Sequence, residues 1–156
     1  MLFGVIGGDR RQAELLKLLR QDGYQAAAYG TAGETDWERA VSAEVVLLPL
    51  PLCREGDTIN IEGEQRGIGA LLRQMRRDQL LLAGQVKPAQ TAEAAELDLN
   101  LIDYFKREEL TVANAAATAE GTVQVILERL ERSLLGSRCL VLGFGRIGKL
   151  LCHRLS

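Results

Sequence analysis

Short apolar runs alternate along this chain with segments whose apolar residues recur at helical spacing. Residues 2–6 (LFGVI) form a continuous apolar run, and residues 10–23 carry apolar positions along one side. A continuous run predicts a buried strand, and apolar residues three and four apart predict a helix. The chain is therefore predicted to open with a strand and a helix, with Gly7 and Gly8 between them and Gly23 at the helix end.

The same alternation continues to about residue 105. Further strands are predicted over residues 24–30, 43–52, 79–84 and 97–105, and helices around Trp37, over 68–78 and over 88–95. Pro49 and Pro51 end the third strand, because proline cannot donate to a sheet ladder. Strands that alternate with helices, and that are apolar throughout, predict a parallel sheet covered on both faces.

The remainder of the chain is predicted to lead into a second domain. Residues 109–115 have an extended pattern, and a long helix is expected from Thr118 to about Leu135. A strand over 138–142 and a helix over 147–155 follow. The predicted fold class is α/β: a Rossmann-like or flavodoxin-like domain over 1–115, a long interdomain helix over 116–136, and a truncated second Rossmann domain over 137–156.

Composition narrows the functional classes. The net charge is −2, aromatic residues make up 4%, and there is no basic block, so nucleic-acid binding is not expected. No apolar stretch has the length of a membrane span or the form of a secretory signal, so no membrane association is expected. Three dispersed cysteines and a single histidine predict neither a metal site nor disulfides and fit a reducing cytoplasm. Cys139 and Cys152 lie in apolar patterns and are expected in the core.

A Gly-x-Gly-x-x-Gly motif stands between the last predicted strand and helix. Gly143 permits a tight turn, Gly145 lets the backbone approach a pyrophosphate, and Gly148 allows close helix packing. The turn from Gly143 to Gly148, with Arg146 and Ile147 inside it, is thus a candidate site for NADP or NAD. The alternatives are a glycine-rich turn that binds nothing and an Arg146 that is simply exposed.

A second candidate site follows the first predicted strand. Gly8, Asp9, Arg10 and Arg11 open a helix, and a helix N-terminus with two arginines suits a small anion such as a carboxylate. The alternative is a plain structural turn in which Asp9 caps the helix. Arg54 follows the third strand, where ligands bind in open α/β sheets, and the alternative for Arg54 is a solvated loop.

A third group of candidates lies in the segment NAAATAEGT. Thr118 is expected to cap the long helix, and Glu120 in its first turn complements the helix dipole. Gly121 costs about 1 kcal/mol relative to alanine inside a helix and suggests close approach of a backbone or a ligand. With Asn114, these residues are candidates for the same substrate cleft.

These segments together resemble the A subunits of bacterial dipicolinate synthases, enzymes of spore dipicolinic acid formation. The resemblance is carried by VIGGDRRQ, the strand end with EGDTIN, YFKREEL, NAAATAEGT and GSRCLVLGFGRIGK. It covers the whole chain, with Arg10 in a variable slot of the first motif. The family has an N-terminal domain and an NADP-binding Rossmann domain, so this chain resembles the first domain with only the start of the second, and we expect it to be inactive alone.

The resemblance implies a function. The family oxidises a dihydrodipicolinate-type substrate to pyridine-2,6-dicarboxylate with NADP or NAD, in the cytoplasm of the mother cell of a sporulating bacterium. The implied partner is the B subunit of dipicolinate synthase, which is flavoprotein-like. The two substrate carboxylates agree with an anion site at Gly8, Asp9, Arg10 and Arg11, and Arg54 and the segment 114–121 are further candidates for the cleft. No catalytic base is assigned, and Asp9 and Glu120 are the carboxylates to test.

Two other functions remain open from the sequence. A two-domain NAD(P) oxidoreductase of the 2-hydroxyacid dehydrogenase type shares the long helix followed by VLGFGRIG. A non-catalytic flavodoxin-like module for ligand binding or assembly is the other alternative. Apolar residues in the final strand and helix, such as Leu140 and Leu150, also suggest a homodimer that covers them.

Overall fold

A six-stranded sheet organises the first of the two units into which the chain divides. The computed structural model describes residues 1–156, with units Met1–Lys106 and Arg107–Ser156. The strands of the first unit are β1 (Leu2–Ile6), β2 (Gln25–Thr31), β3 (Glu34–Thr35), β4 (Val45–Leu47), β5 (Leu80–Ala83) and β6 (Asn100–Asp103). Its helices are α1 (Arg10–Gln21), α2 (Trp37–Val41), α3 (Ile68–Leu72) and α4 (Pro88–Glu96), followed by a 3-10 turn at Tyr104–Lys106.

The strand order is β3-β2-β1-β4-β5-β6, and all neighbours are parallel except β2 and β3. The two-residue β3 was not predicted, because it is too short to leave a pattern. Without it, the five parallel strands have the flavodoxin-like order, so the predicted α/β fold class is confirmed. The order reverses between β1 and β4, and ligands of such sheets bind outside the carboxyl ends of the strands at this switch point.

Helices cover both faces of the sheet. Successive side chains of β1 point to opposite faces, and because both sets are apolar, each face needs a cover. Val5 lies beside Ala28 of β2 and Leu47 of β4, and Leu16 of α1 covers them. Ile6 faces the other way into a larger cluster that also holds Val46, Leu81, Ala40 of α2 and Leu71 of α3. The central strands are therefore buried on both sides. This packing holds the strands, and the segments that follow their carboxyl ends, in fixed positions.

The second unit contains α5 (Glu108–Arg129) and α6 (Arg146–Leu155). The predictions of an extended segment over 109–115 and a helix start at Thr118 were wrong. Glu108 and Glu109 occupy the first turn, where acidic residues complement the helix dipole, so the helix begins ten residues earlier. Thr118 is not an N-cap, since its hydroxyl donates to the carbonyl of Asn114 at 2.7 Å inside the helix. The domain limits at 115 and 136 stay predictions.

Residues 138–142 do not form the predicted strand. Leu140 and Leu142 are 84% and 88% exposed, and Cys139 is exposed rather than in the core. An apolar pattern indicates a preference for burial, but a strand also needs a hydrogen-bonded neighbour, and this segment has none. Cys152 is half-buried on α6. None of the helices combines the length and apolar character needed to cross a membrane.

Candidate functional site

The turn after β1 lies at the switch point and is joined by hydrogen bonds to neighbouring segments. Gly7 and Gly8 have positive φ angles of 62° and 88°, a backbone conformation that glycine adopts readily. The Gly7 amide donates to the carbonyl of Tyr29, and the Gly8 amide donates to the carbonyl of Asn60, both at 2.7 Å. A Cβ at Gly7 would lie 2.6 Å from the Asn60 carbonyl oxygen. The turn therefore packs directly against the loop that follows β4.

Asp9 caps α1, as the structural alternative predicted. Its Oδ1 accepts from the Arg11 backbone amide at 2.9 Å. The same carboxylate accepts from Nε and Nη2 of Arg11, at 3.0 and 2.8 Å. These hydrogen bonds hold the pKa of Asp9 below its ordinary value. Asp9 is therefore ionised, and its charge is matched by one neighbouring guanidinium.

Arg11 is engaged in holding the two strand ends together. Besides its contacts with Asp9, its Nη2 donates to the carbonyl of Leu50 at 2.6 Å. Leu50 precedes Pro51 through a cis peptide bond in the segment after β4. Two of the three guanidinium nitrogens thus have partners within the chain, which gives Arg11 a structural role in the turn.

Arg10 stands in contrast to Arg11. Its side chain is exposed and makes no hydrogen bond or ion pair. The backbone amides of Asp9 and Arg10 also donate to no acceptor. An unpaired guanidinium and free amides at the first turn of a twelve-residue helix form a surface that favours an anion.

Arg54 lies at the same end of the sheet and is held by Asn60. The Asn60 side chain is 5% exposed, its Oδ1 accepts from Nε of Arg54, and its Nδ2 donates to the Pro51 carbonyl at 3.3 Å. The terminal nitrogens of Arg54 have no partner. The charge of Arg54 also contributes, less than Arg11 does, to the lowered pKa of Asp9. Asn60 was not among the predicted site residues, because a buried asparagine in a long loop has no periodic pattern.

A cavity of about 430 Å³ adjoins Arg54. Residues of the loop after β4 line it, among them Arg54, Thr58 and Glu64. Glu64 forms an ion pair with Arg66 at 3.3 Å, and the Arg66 guanidinium stacks over the Trp37 ring at 3.8 Å. These contacts fix the far side of the loop, so the cavity has a defined wall.

Two polar side chains lie behind the turn. Gln12 is 5% exposed and lies against Gly8, and its Oε1 has no hydrogen-bond partner. The Tyr104 hydroxyl donates to the carbonyl of Leu48 at 3.3 Å. Burial raises the pKa of Tyr104 to about 12, so this phenol stays protonated near neutral pH and cannot act as a base there.

The glycine motif of the second unit forms a turn that leads into α6, without the strand predicted before it. Gly143 has a φ angle of 102°, and Gly145 is the N-cap of α6. A Cβ at Gly148 would lie 2.0 Å from the Gly143 carbonyl oxygen. Only glycine fits at Gly148, and the free N-terminus of α6 next to this turn suits a phosphate.

Several predicted residues of the second unit have partners within that unit. Arg146 makes a two-pronged ion pair with Glu108, at 3.1 and 2.5 Å. Glu120 pairs with Arg154 at 2.8 Å. Gly121 has no atom within 4 Å of an added Cβ, so no backbone packs closely on it. Ligand contacts of these residues, and of Asn114, Thr118 and Ile147, stay predictions. No group of three acidic, histidine or cysteine side chains lies close enough to hold a metal ion.

Comparison with known proteins gives consistent matches. The chain is 24% identical to the dipicolinate synthase A subunit of Bacillus subtilis, over 94% of this chain and 54% of that protein. The crystal structure of dipicolinate synthase from Bacillus subtilis aligns over 99% of this chain and 57% of that one, at 21% identity and a TM-score of 0.72. The A subunit from Bacillus halodurans aligns over the same shares, at 19% identity and a TM-score of 0.75.

The chain spans about half the length of these relatives. The family profile described as the N-terminal domain of the dipicolinate synthase A subunit matches residues 2–105, which is nearly the whole of the first unit. The resemblance stated from the sequence motifs is thereby confirmed. The chain belongs to the family of N-terminal domains of dipicolinate synthase A subunits.

Proposed function

We propose that the switch-point site of the first unit binds the dicarboxylate substrate of a dipicolinate synthase. The observation that carries this proposal is a pair of unpaired guanidinium groups, of Arg10 and Arg54, in the segments that follow β1 and β4, while Arg11 pairs with Asp9. Arg11 neutralises Asp9, which leaves Arg10 and Arg54 free. Two unpaired cations near the carboxyl ends of two neighbouring strands match a ligand with two carboxylates.

The proposed reaction is the oxidation of a dihydrodipicolinate-type substrate to pyridine-2,6-dicarboxylate. NADP or NAD would accept a hydride, and a proton would leave to a base that we do not assign. Gly143, Gly145 and Gly148 would hold the pyrophosphate at the N-terminus of α6. We do not expect turnover from residues 1–156 by themselves, because such a turn holds a dinucleotide only together with further strands of its own sheet.

The proposed assembly follows from the family. The relatives are named as A subunits, which implies at least one other kind of chain in the enzyme. We propose that the partner is a flavoprotein-like B subunit, in the cytoplasm of the mother cell of a sporulating bacterium. A homodimer that covers the exposed apolar residues of the second unit, such as Leu140 and Leu142, is proposed as well.

Calorimetric titration with dipicolinate tests the anion site. The wild-type chain is expected to bind, and Arg10→Ala is expected to bind about tenfold more weakly, since a charged hydrogen bond to a carboxylate is lost. Arg39→Ala is the matched control, because Arg39 is also an exposed helix arginine without an ion pair. Failure of the wild type to bind would reject the proposal. Equal loss in Arg10→Ala and Arg39→Ala would reject a specific contact with Arg10, because it would show only a general effect of charge.

A further inference from the structure

We propose, on the basis of this function, that Asn60 is a positioning residue that presents the terminal nitrogens of Arg54 to one carboxylate of the ligand. Asn60 is nearly fully buried, at 5% exposure, and all of its polar groups have partners. Its backbone amide donates to the carbonyl of Leu52 at 2.9 Å, and its carbonyl accepts from Gly8 at 2.7 Å. The side chain binds Pro51 and Arg54. Asn60 therefore connects three segments of the site.

The orientation of Arg54 follows from which of its nitrogens is bound. Asn60 accepts from Nε, which lies on the side edge of the guanidinium, and leaves Nη1 and Nη2 without partners. These two nitrogens form the end edge of the group, which can bind a carboxylate with two parallel hydrogen bonds. An arginine that is already held loses less conformational freedom when a ligand binds.

Asn60 holds an arginine without cancelling its charge. Asp9 binds Arg11 through two nitrogens and neutralises it, whereas the amide of Asn60 is uncharged. Of these two held arginines, Arg11 has its charge balanced by Asp9, and Arg54 has no ion pair. A neutral anchor leaves the charge of the arginine available to a ligand carboxylate, whereas a carboxylate anchor would compete with that ligand.

Dipicolinate titration of variants tests this inference. Arg54→Ala and the isosteric Asn60→Asp are each expected to weaken binding about tenfold or more, the second because the new carboxylate pairs with Arg54. Asn60→Ala is expected to weaken binding about fivefold, because Arg54 is no longer held. In an Arg54→Ala background Asn60→Ala is expected to change affinity less than about twofold, since Asn60 acts through Arg54. Thermal unfolding of each variant verifies that it is folded.

The outcomes separate the two proposals. If Arg54→Ala binds as the wild type does, Arg54 does not contact the ligand and both the assignment of Arg54 and this inference fail. If Arg54→Ala weakens binding but Asn60→Asp, in a folded protein, does not, the dicarboxylate site stands and the role of Asn60 is rejected. If Asn60→Ala weakens binding equally with and without Arg54, Asn60 supports the loop in general and the inference is also rejected.

Discussion

The backbone carbonyl of Asn60 accepts a hydrogen bond from the Gly8 amide, with 2.7 Å between nitrogen and oxygen. This bond joins the turn after β1 to the loop after β4, on the two sides of the switch point. The same loop carries Arg54, and the same turn leads into Arg10. Displacement of either segment therefore changes the distance between the two free arginines.

Gly7→Ala is expected to disrupt this junction. Alanine at a φ of 62° is strained by about 1 kcal/mol, and its Cβ would also meet the Asn60 carbonyl oxygen, which adds about 1–3 kcal/mol. Gly33→Ala is the control, because Gly33 has a φ of 75° and open space around it, so only the strain applies. Urea unfolding measures both, and equal losses of unfolding free energy would contradict the close packing.

Arg11→Ala is expected to lower the stability of the fold, whereas Arg10→Ala is expected to weaken dipicolinate binding with little change in stability. Loss of the Arg11 side chain removes the guanidinium donors of the Asp9 carboxylate and of the Leu50 carbonyl, while the backbone amide of residue 11 still donates to Asp9. Because the pair is half-exposed, this costs about 1 kcal/mol of unfolding free energy. Loss of Arg10 removes no internal contact and is expected to change stability by less than about 0.5 kcal/mol. Urea unfolding curves check both values. A larger loss for Arg10→Ala would mean that its side chain has a structural partner.

The Asp9–Arg11 pair is expected to make the stability of the fold depend on pH in the acidic range. The folded-state pKa of Asp9 lies below its value of 3.8 in an unfolded chain, chiefly because Arg11 donates to it. The contribution of Asp9 is therefore fully present above that value and is lost as pH falls through the lower folded-state pKa. The difference in melting temperature between wild type and Asp9→Asn should shrink as pH falls from about 6 to about 2. If the difference in melting temperature stays constant over this pH range, the ionisation of Asp9 does not contribute to the stability of the fold.

Much of the fold could be predicted from the sequence because burial leaves a pattern. All five parallel strands followed from apolar runs, since strands such as β1 are covered on both faces. The start of α5 was missed because Thr111 and Val112 suggest an extended chain, although acidic residues of the first turn support a helix. The strand predicted over 138–142 does not form, because an apolar pattern does not show whether a neighbouring strand is available for pairing.

The candidate site was only partly predictable. The turn after β1 and Arg54 were identified because position after a strand implies position at the sheet edge. The distinction between Arg10 and Arg11 was not predictable, since it depends on which guanidinium reaches Asp9 and the Leu50 carbonyl. The role of Asn60 depends on the path of a loop with no regular structure. Only the hydrogen bonds of Asn60 in the folded chain show that role.

Two glycines of the second unit are expected to respond in opposite directions to alanine. Gly121 lies inside α5 with open space around it, so Gly121→Ala should stabilise the helix by about 1 kcal/mol. Gly148→Ala should destabilise the unit by about 3 kcal/mol, because its Cβ would lie 2.0 Å from the Gly143 carbonyl oxygen. Thermal unfolding followed by far-ultraviolet circular dichroism measures both changes.

The Gly121 result also bears on the predicted substrate contacts of α5. If Gly121→Ala stabilises the chain and leaves dipicolinate affinity unchanged, the added methyl group meets no ligand, and Gly121 is removed from the candidate substrate residues. If the variant is stabilised but binds dipicolinate more weakly, the methyl group obstructs a ligand at this helix surface. A loss of stability would contradict the open surroundings of Gly121, because alanine favours a helix wherever its Cβ has room.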